Sequence, residues 1–167
     1  MAFRATIIAS IIGYLTGAPD VGDAKYTFDD SSEIRLALGT GADQANAVYA
    51  DDFSIPSGGT LSIDLAGGVT SALGQVYTFT AIKAIKVEAD DGNTLNIVVG
   101  GAASNAFVGP FADATDKIAV KPGGVALLAD PSAAGWAVTP ATGDILLLAN
   151  SGSGSAVDGR IIIIGEA

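Results

Sequence analysis

The sequence predicts an all-β protein: an antiparallel β-sandwich, jelly-roll-like, with an N-terminal strand or arm. Three observations predict this class. Short apolar and β-branched runs follow one another along the chain, turn residues rich in glycine, proline and aspartate separate them, and no window of a dozen residues has the apolar spacing of a helix. A single helical turn is possible at residues 69–73. The length of 167 residues is that of one domain.

The N-terminal segment, residues 5–15, predicts the first strand. It is apolar, and the β-branched residues between Thr6 and Ile12 favour a strand over a helix. Its outline also resembles a signal peptide, but Arg4 is the one basic residue before it. It is also shorter than the ~20 residues that cross a bilayer.

Residues 16–24 contain glycine, proline and aspartate, which mark a loop. We therefore divide the chain into an arm with its loop, residues 1–24, and a β-sandwich domain, residues 25–167. An apolar strand on such a tether can pair with its own sheet or with the open edge of a neighbour. Removal of residues 1–16 is accordingly expected to weaken assembly more than the fold.

Further apolar runs predict the strands of the sandwich. They are residues 25–28, 33–38, 47–55, 60–65, 75–87, 94–99, 105–111, 117–120, 125–129, 135–138, 144–149 and 160–164. In residues 60–65 the apolar side chains alternate with Ser62 and Asp64, so Leu61, Ile63 and Leu65 are expected to face the core. The alternation of residues 75–87 breaks at Lys83, which predicts a β-bulge near residues 81–83.

Two of these runs, residues 145–148 and 161–164, are apolar at every position. Such strands are expected to be covered on both faces. The second sheet can cover one face. A loop, the N-terminal strand or another subunit must then cover the other.

Several turns follow from their residue types. The Asp-Asp-Gly-Asn sequence at residues 90–93 predicts a tight hairpin, because an Asp-Gly pair supplies the positive φ that such a turn needs. Residues 56–59 and 122–124 combine a proline with following glycines, which is typical of β-turns. The Ser-Gly-Ser-Gly-Ser sequence at residues 151–155 predicts a flexible loop.

Charge and composition limit the partners. The net charge is −10, from 18 acidic and 8 basic residues, and the bases are scattered along the chain. Because nucleic acids and anionic membranes require clustered positive charge, we expect neither as a partner. Charged residues make up only 16%, against a usual ~25%. The 22 glycines and 30 alanines further favour a surface that neighbouring subunits cover.

Histidine and cysteine are absent. This excludes Ser-His-Asp and Cys-His nucleophiles, disulfides, and thiolate or imidazole metal ligands. We expect no enzymatic activity, no cofactor, and no catalytic, cofactor-binding or metal-ligating residues.

The remaining motifs support this expectation. Residues 39–41 begin like a dinucleotide-binding loop, but Gln44 replaces the third glycine and no helix pattern follows. Adjacent acids occur at residues 29/30, 51/52 and 90/91, where neighbouring side chains of an extended segment point to opposite faces. Such a pair cannot act jointly on one glycosidic bond.

Two further candidates are weak. The turn at residues 90–93 could bind calcium through its oxygens, but it lacks the spacing of an EF-hand loop. Trp136 is the single tryptophan, and we expect it in the core or in a subunit contact.

Three stretches of the second half carry a resemblance. They are residues 100–117, which contain GGAASNAF and FADATDK, residues 121–125, KPGGV, and residues 144–152, DILLLANSG, followed by the strand at 160–165. This pattern resembles small β-sandwich virion proteins of tailed bacteriophages. The resemblance implies a capsid decoration (cement) protein on the exterior of the virion, made in the host cytoplasm.

We expect a homotrimer, because charge is scarce, the two fully apolar strands need cover on both faces, and a threefold matches local axes of a capsid. The resemblance adds the major capsid protein or other virion proteins as partners. An acidic exterior would also repel DNA. Two alternatives remain open. One is a tail or fibre component of the particle, and the other is a carbohydrate-binding β-sandwich that uses Trp136, Tyr77 and Tyr49 for stacking.

Overall fold

The structure is a computed structural model that describes residues 2–167, and within this range it has strands and no helix. The predicted all-β class is confirmed. The strands are β1 (Arg4–Gly17), β2 (Ala24–Leu38), β3 (Gln44–Ala45), β4 (Ala47–Ile55), β5 (Thr60–Asp64), β6 (Val69–Thr70), β7 (Val76–Tyr77), β8 (Ala81–Ala89), β9 (Ile97–Gly100), β10 (Lys117–Val120), β11 (Val125–Ala129), β12 (Trp136–Ala137), β13 (Ile145–Asn150) and β14 (Val157–Glu166).

Two antiparallel sheets form the body of the protein. Sheet I has the order β11-β8-β14-β4, with β12 beside β8, and sheet II has the order β10-β9-β13-β5. Alternate side chains of both sheets share one buried cluster, the main core. It includes Phe53, Ile55, Ile85, Val87, Ile161 and Ile163 from sheet I, and Ile63, Ile97, Val99, Val120, Leu146 and Leu148 from sheet II.

A long hairpin stands outside this sandwich. Strands β1 and β2 pair antiparallel from Arg4↔Ala37 to Gly17↔Ala24, and β3 extends the base of β2 in parallel. Residues 29–32, which the sequence places between two strands, continue β2 because they pair with β1. The division between residues 24 and 25 therefore falls at one end of a single hairpin. Met1, the first residue of the predicted arm, lies outside the described residues.

The base of the hairpin packs on the outer face of sheet I. Ile7 and Leu36 form a second buried cluster with Ala84, against which Leu127 and Ile164 also pack. The N-terminal strand thus covers Ile164, as the apolar run at residues 161–164 suggested. On β13, the outward-facing Ile145 and Leu147 are half-buried.

The side-chain alternation of β5 agrees with the sequence. Ile63 is buried, as is Leu65 just after the strand, Leu61 is half-buried, and Ser62 and Asp64 are exposed. The predicted bulge is also confirmed. Opposite Ile164 and Gly165 of β14, the register of β8 passes from Ala84 to Ile82, so that Lys83 is the extra residue.

Two predicted turns are confirmed. The Gly59 amide donates to the Pro56 carbonyl at 2.9 Å, and the Gly124 amide donates to the Lys121 carbonyl at 2.8 Å. Gly123 has a φ of 69°, which the third position of a type II turn requires.

The prediction of a tight hairpin at residues 90–93 is wrong. Strand β8 before it belongs to sheet I, whereas β9 after it belongs to sheet II, so the segment crosses from one sheet to the other. The Asn93 amide donates to the Asp90 carbonyl at 3.3 Å. The run at residues 105–111 is also not a strand, because Asn105 has a positive φ of 52° and the Phe111 amide closes a turn on Val108.

Candidate functional site

The outer part of the hairpin exposes large apolar side chains. Exposure reaches 69% for Ile11, 70% for Ile12, 69% for Leu15 and 69% for Tyr26. Ile8, Tyr14, Val21 and Phe28 are exposed as well. Ile11, Leu15, Tyr26 and Phe28 share one face of the hairpin, whereas Ile8, Ile12 and Tyr14 lie on the other. Exposed apolar patches mark interaction sites.

One face of the hairpin is apolar along most of its length. Directly opposed residues of an antiparallel pair share a face, so the pairs Ile7↔Ile34, Ile11↔Asp30 and Leu15↔Tyr26 lie on the same side. Only the first of these pairs packs on sheet I. The face that is buried at the base therefore continues outward, where no other part of residues 2–167 covers it.

Local contacts order the outer part. The rings of Tyr26 and Phe28 have centroids 6.3 Å apart, and the Phe28 ring lies over Gly13, where an added Cβ would be 2.6 Å from it. On the other face, the Lys25 ammonium lies 4.5 Å from the centre of the Tyr14 ring. Glycine at position 13 is thus required for the close approach of Phe28.

The two long edges of the hairpin differ in charge. Strand β1 contains one charged residue, Arg4, whereas β2 contains five: Lys25, Asp29, Asp30, Glu33 and Arg35. Charged residues on an edge strand oppose pairing with another chain. Among residues 2–167, β1 pairs with β2 alone, so its other edge is free and carries almost no charge to protect it.

A groove of about 340 Å³ lies beside β1. Its wall is formed by β1 at residues 6–8, and its floor by Lys86, Val125, Leu127 and Ile162 of sheet I. Because no residue of β2 contributes, the groove lies on the free-edge side of β1. Val125 on its floor is 55% exposed.

A larger acidic groove of about 790 Å³ lies at the opposite end of sheet I. Within it Arg160 donates to both carboxylate oxygens of Asp52, at 2.6 and 3.0 Å, and this hydrogen bonding is the main cause that lowers the pKa of Asp52. The pKa of Glu88 is lowered chiefly by its hydrogen bond from Lys86.

The turn at residues 90–93 borders this acidic groove. Its side chains bind the chain's own backbone: Asp90 Oδ1 accepts from the Gly92 amide at 2.8 Å, and the Asn93 side chain makes two hydrogen bonds with the backbone of Asp158. No group of three or more acidic residues within residues 2–167 is arranged to hold a metal ion.

The glycine-rich loop at residues 39–41 is closed by its own chain. Gln44 Oε1 accepts from the Gly41 amide at 2.9 Å, and Gln44 begins β3 rather than a helix. No phosphate pocket therefore forms at this loop.

The adjacent acids at residues 51/52 and 29/30 point to opposite faces, as expected from an extended strand, whereas Asp90 and Asp91 lie in a turn and both line the acidic groove. Asp52 binds Arg160, while Asp51 accepts from the Tyr49 hydroxyl at 3.1 Å. The pairs Ile11↔Asp30 and Ile12↔Asp29 place the two aspartates of the hairpin on different faces.

The three aromatic residues considered for stacking are half-buried against the main core: Tyr49, Tyr77 and Trp136. Trp136 pairs with Ile82 in sheet I. It packs closely on Gly109, since a Cβ added at position 109 would lie only 2.4 Å from the Trp136 Cβ. Tyr77 donates to Gln75 at 2.7 Å. Burial is the largest cause that raises the pKa of Tyr49 to about 12, followed by the charge of Asp51 and its hydrogen bond.

Lys83 is a buried group whose partner the sequence did not reveal. Its side chain is fully buried, and its ammonium donates to the carbonyls of Ser132 and Ala133 at 2.5 and 2.9 Å. It also lies 3.0 Å from Glu166 Oε1. Through these contacts Lys83 connects the bulge of β8 to the 130–135 loop and to the end of β14. Its role is therefore structural.

The apolar run of β1 indicated an arm, but the sequence did not indicate that β2 contributes to the same exposed face. The aromatic residues Tyr26 and Phe28 belong to the same exposed face as Leu15. The available signal was the spacing of Tyr26 and Phe28 at alternate positions. The described residues contain no helix that is long and apolar enough to cross a membrane.

Among residues 2–167, the feature best suited to an interaction is the hairpin with its adjoining groove. No protein-family model, no curated protein and no solved structure matches this chain.

Proposed function

We propose that this chain is a structural virion protein of a tailed bacteriophage: a homo-oligomeric capsid decoration protein that stabilises the coat lattice from the exterior. The projecting hairpin carries this proposal. Its outer part exposes apolar side chains that a free monomer has no means of covering, whereas a protein that functions in an assembly buries them against a neighbour.

The strand order supports the proposal, and from it we infer that the sandwich is a jelly roll. In sheet I, β4 pairs with β14 and β14 with β8, while in sheet II β5 pairs with β13 and β13 with β9. Early strands thus pair with late ones in both sheets, as in two nested Greek keys. Jelly rolls occur in viral capsid and lectin domains.

Composition supports the same role. Low charge and many small side chains suit close packing against other subunits, because alanine and glycine lose little side-chain entropy on ordering. The net charge of −10 suits the outside of a capsid better than its DNA-filled interior. Self-association is part of this proposal, and the homotrimer expected from the sequence and a dimer are its two candidate forms.

The two alternative functions, a tail or fibre component and a carbohydrate-binding module, make different predictions. A tail or fibre component shares the need for an exposed arm but assembles around the tail axis. A carbohydrate-binding module would need exposed rings, and the half-buried positions of Tyr49, Tyr77 and Trp136 lend it no support.

The test is a phage that carries an amber codon in this gene, grown without a suppressor. We expect complete, tailed particles that lack this protein and lose DNA at a lower temperature, and we expect purified protein to restore them. Particles without tails or fibres would favour the tail alternative. Particles that never contain the protein would overturn the virion assignment.

A further inference from the structure

We propose that two copies of this chain pair through the free edges of their β1 strands, antiparallel, so that the outer part of each hairpin occupies the groove beside β1 of the other copy. The inference deepens the proposed self-association and rests on it, because it names the contact and the partner. It does not depend on the location of the protein in a virion.

The groove selects an extended strand. One wall is the free edge of β1 at residues 6–8, whose backbone groups another strand can pair with. The floor is formed by the apolar Leu127, Val125 and Ile162 together with Lys86, which forms an ion pair with Glu88. A strand that enters must therefore be uncharged, apolar on its lower face and free along one edge. β1 itself meets all three conditions over residues 5–17.

The twofold pairing follows from the geometry of β1. In an antiparallel arrangement the base of one β1 lies beside the outer end of the other. With the axis at Ser10 or Ile11, near the middle of the strand, residues 6–8 of one copy lie opposite residues 12–16 of the other. Opposed residues share a face, so Leu15 and Tyr26 of one copy point toward the exposed Val125 of the other.

This contact continues one that the chain already makes. Ile7 and Leu36 of the same hairpin face pack on Ala84 and Leu127 at the base. The partner's outer hairpin would extend that packing across the rest of the sheet I surface, where the chain leaves Val125 exposed.

Charge complementarity supports the same orientation. Arg4 is the single charge of β1 and is exposed, and among residues 2–167 it forms no ion pair. The turn at the far end of the hairpin contains Asp20 and Asp23. Antiparallel pairing brings this acidic turn next to Arg4 of the other copy, at both ends of the contact.

The face that would meet the partner exposes large apolar side chains. Ile11, Leu15 and Tyr26 are each 69% exposed, and Phe28 on the same face is 39% exposed. Exposed apolar patches of this kind mark protein–protein interaction sites.

Light scattering on the purified chain gives the first test. We expect twice the chain mass of 16.5 kDa at micromolar concentration. A single-chain mass would overturn both the contact and the proposed self-association. A threefold mass would overturn the twofold pairing alone, because an odd number of copies cannot satisfy it throughout, and would leave self-association intact.

Disulfide trapping gives the sharper test, because the chain has no cysteine. Ser10→Cys or Ile11→Cys should form a covalent dimer in mild oxidant, since each lies at or next to the twofold axis, where opposed Cβ atoms are ~4.5–5.5 Å apart. Ser31→Cys is the matched control: it opposes Ser10 on β2, away from the free edge. Equal trapping of Ser31→Cys, or no trapping at Ser10 or Ile11, would overturn the pairing.

A charge exchange tests the orientation. Arg4→Asp should weaken the dimer roughly two- to tenfold, as expected for two lost surface ion pairs, and the triple variant Arg4→Asp, Asp20→Arg, Asp23→Arg should recover it. Circular dichroism confirms that each variant keeps its fold. A triple variant that is no tighter than Arg4→Asp would contradict the antiparallel orientation.

Discussion

Isoleucines in two parts of the molecule have opposite surroundings. In β14, Ile161 and Ile163 are fully buried, whereas in β1, Ile11 and Ile12 are 69% and 70% exposed. Both strands belong to long antiparallel ladders. What differs is the second layer: sheet II covers β14, whereas residues 2–167 supply no second layer for the outer hairpin.

The comparison teaches that strand pairing and burial are separate conditions. A two-stranded hairpin alone is at best marginally stable in water, so its apolar face needs a further layer to contribute much. At the base, sheet I supplies this layer to Ile7 and Leu36. Farther out, a neighbouring molecule has to supply it.

Two lysines give the largest expected contrast between the regions. Lys83→Met removes the cation beside Glu166 and the donor to two carbonyls, so we expect a loss of about 3–5 kcal/mol in the free energy of unfolding. Lys25→Met on the exposed hairpin should change it little. Urea unfolding measures both, and the double variant Lys83→Met, Glu166→Gln should recover part of the loss. Equal effects of the two lysines would refute the contrast.

The isoleucines themselves give the next contrast. Ile161→Ala should cost about 2–5 kcal/mol, because it leaves a cavity in the main core. Ile11→Ala should cost less than about 0.5 kcal/mol in the free energy of unfolding, as for most surface positions, while weakening self-association. Thermal unfolding combined with light scattering separates the two readouts. A large stability loss in an Ile11→Ala monomer would show that the outer hairpin belongs to the fold.

Shortening the hairpin isolates the outer part as a whole. Replacing residues 9–32 by Asn-Gly joins the paired Ile8 and Glu33 through a turn suited to a two-residue hairpin loop. We expect the free energy of unfolding to change by no more than about 1 kcal/mol and the dimer to be lost. Removal of residues 1–16 is less selective, because it also takes Ile7 from the second cluster. A shortened chain that still associates would locate the interface on the body.

The smallest expected effect is a pH dependence at the edge strand β4. The pKa of Tyr49 is raised to about 12, above the value of ~10 in an unfolded chain. The folded state therefore holds this proton more tightly, and its stabilising contribution is complete below pH ~10 and is lost as the pH rises to about 12. Asp51→Asn should lower this pKa without restoring it fully, because burial remains. An NMR titration of Tyr49 in which the Asp51→Asn pKa is unchanged would contradict the assigned role of Asp51.

The sequence predictions that the structure confirms were those based on local patterns. The alternation at Ile63 and Leu65, the bulge at Lys83 and the turn at residues 122–124 each depend on a few consecutive residues. The continuity of β2 through Asp29 was missed because its cause lies in another strand, β1.

The same limit applies to the candidate site. The arm was recognisable from its apolar run, but the groove beside it is formed by residues 6–8 and residues 84, 86, 125, 127, 162 and 164, which no local pattern brings together. The sheet change at residues 90–93 was hidden for the same reason, since an Asp-Gly pair fits either kind of turn.

The position of β14 has a consequence for the time at which the protein can fold. It lies between β8 and β4 in sheet I, and its contact between Arg160 and Asp52 joins residues 108 positions apart. Sheet I therefore cannot close until the ribosome has made every other strand, and pairing over such separations is slow. The hairpin of β1 and β2 is local and can form long before that. During synthesis the apolar arm is thus exposed on a nascent chain that has no finished body, a period in which chaperones are most useful.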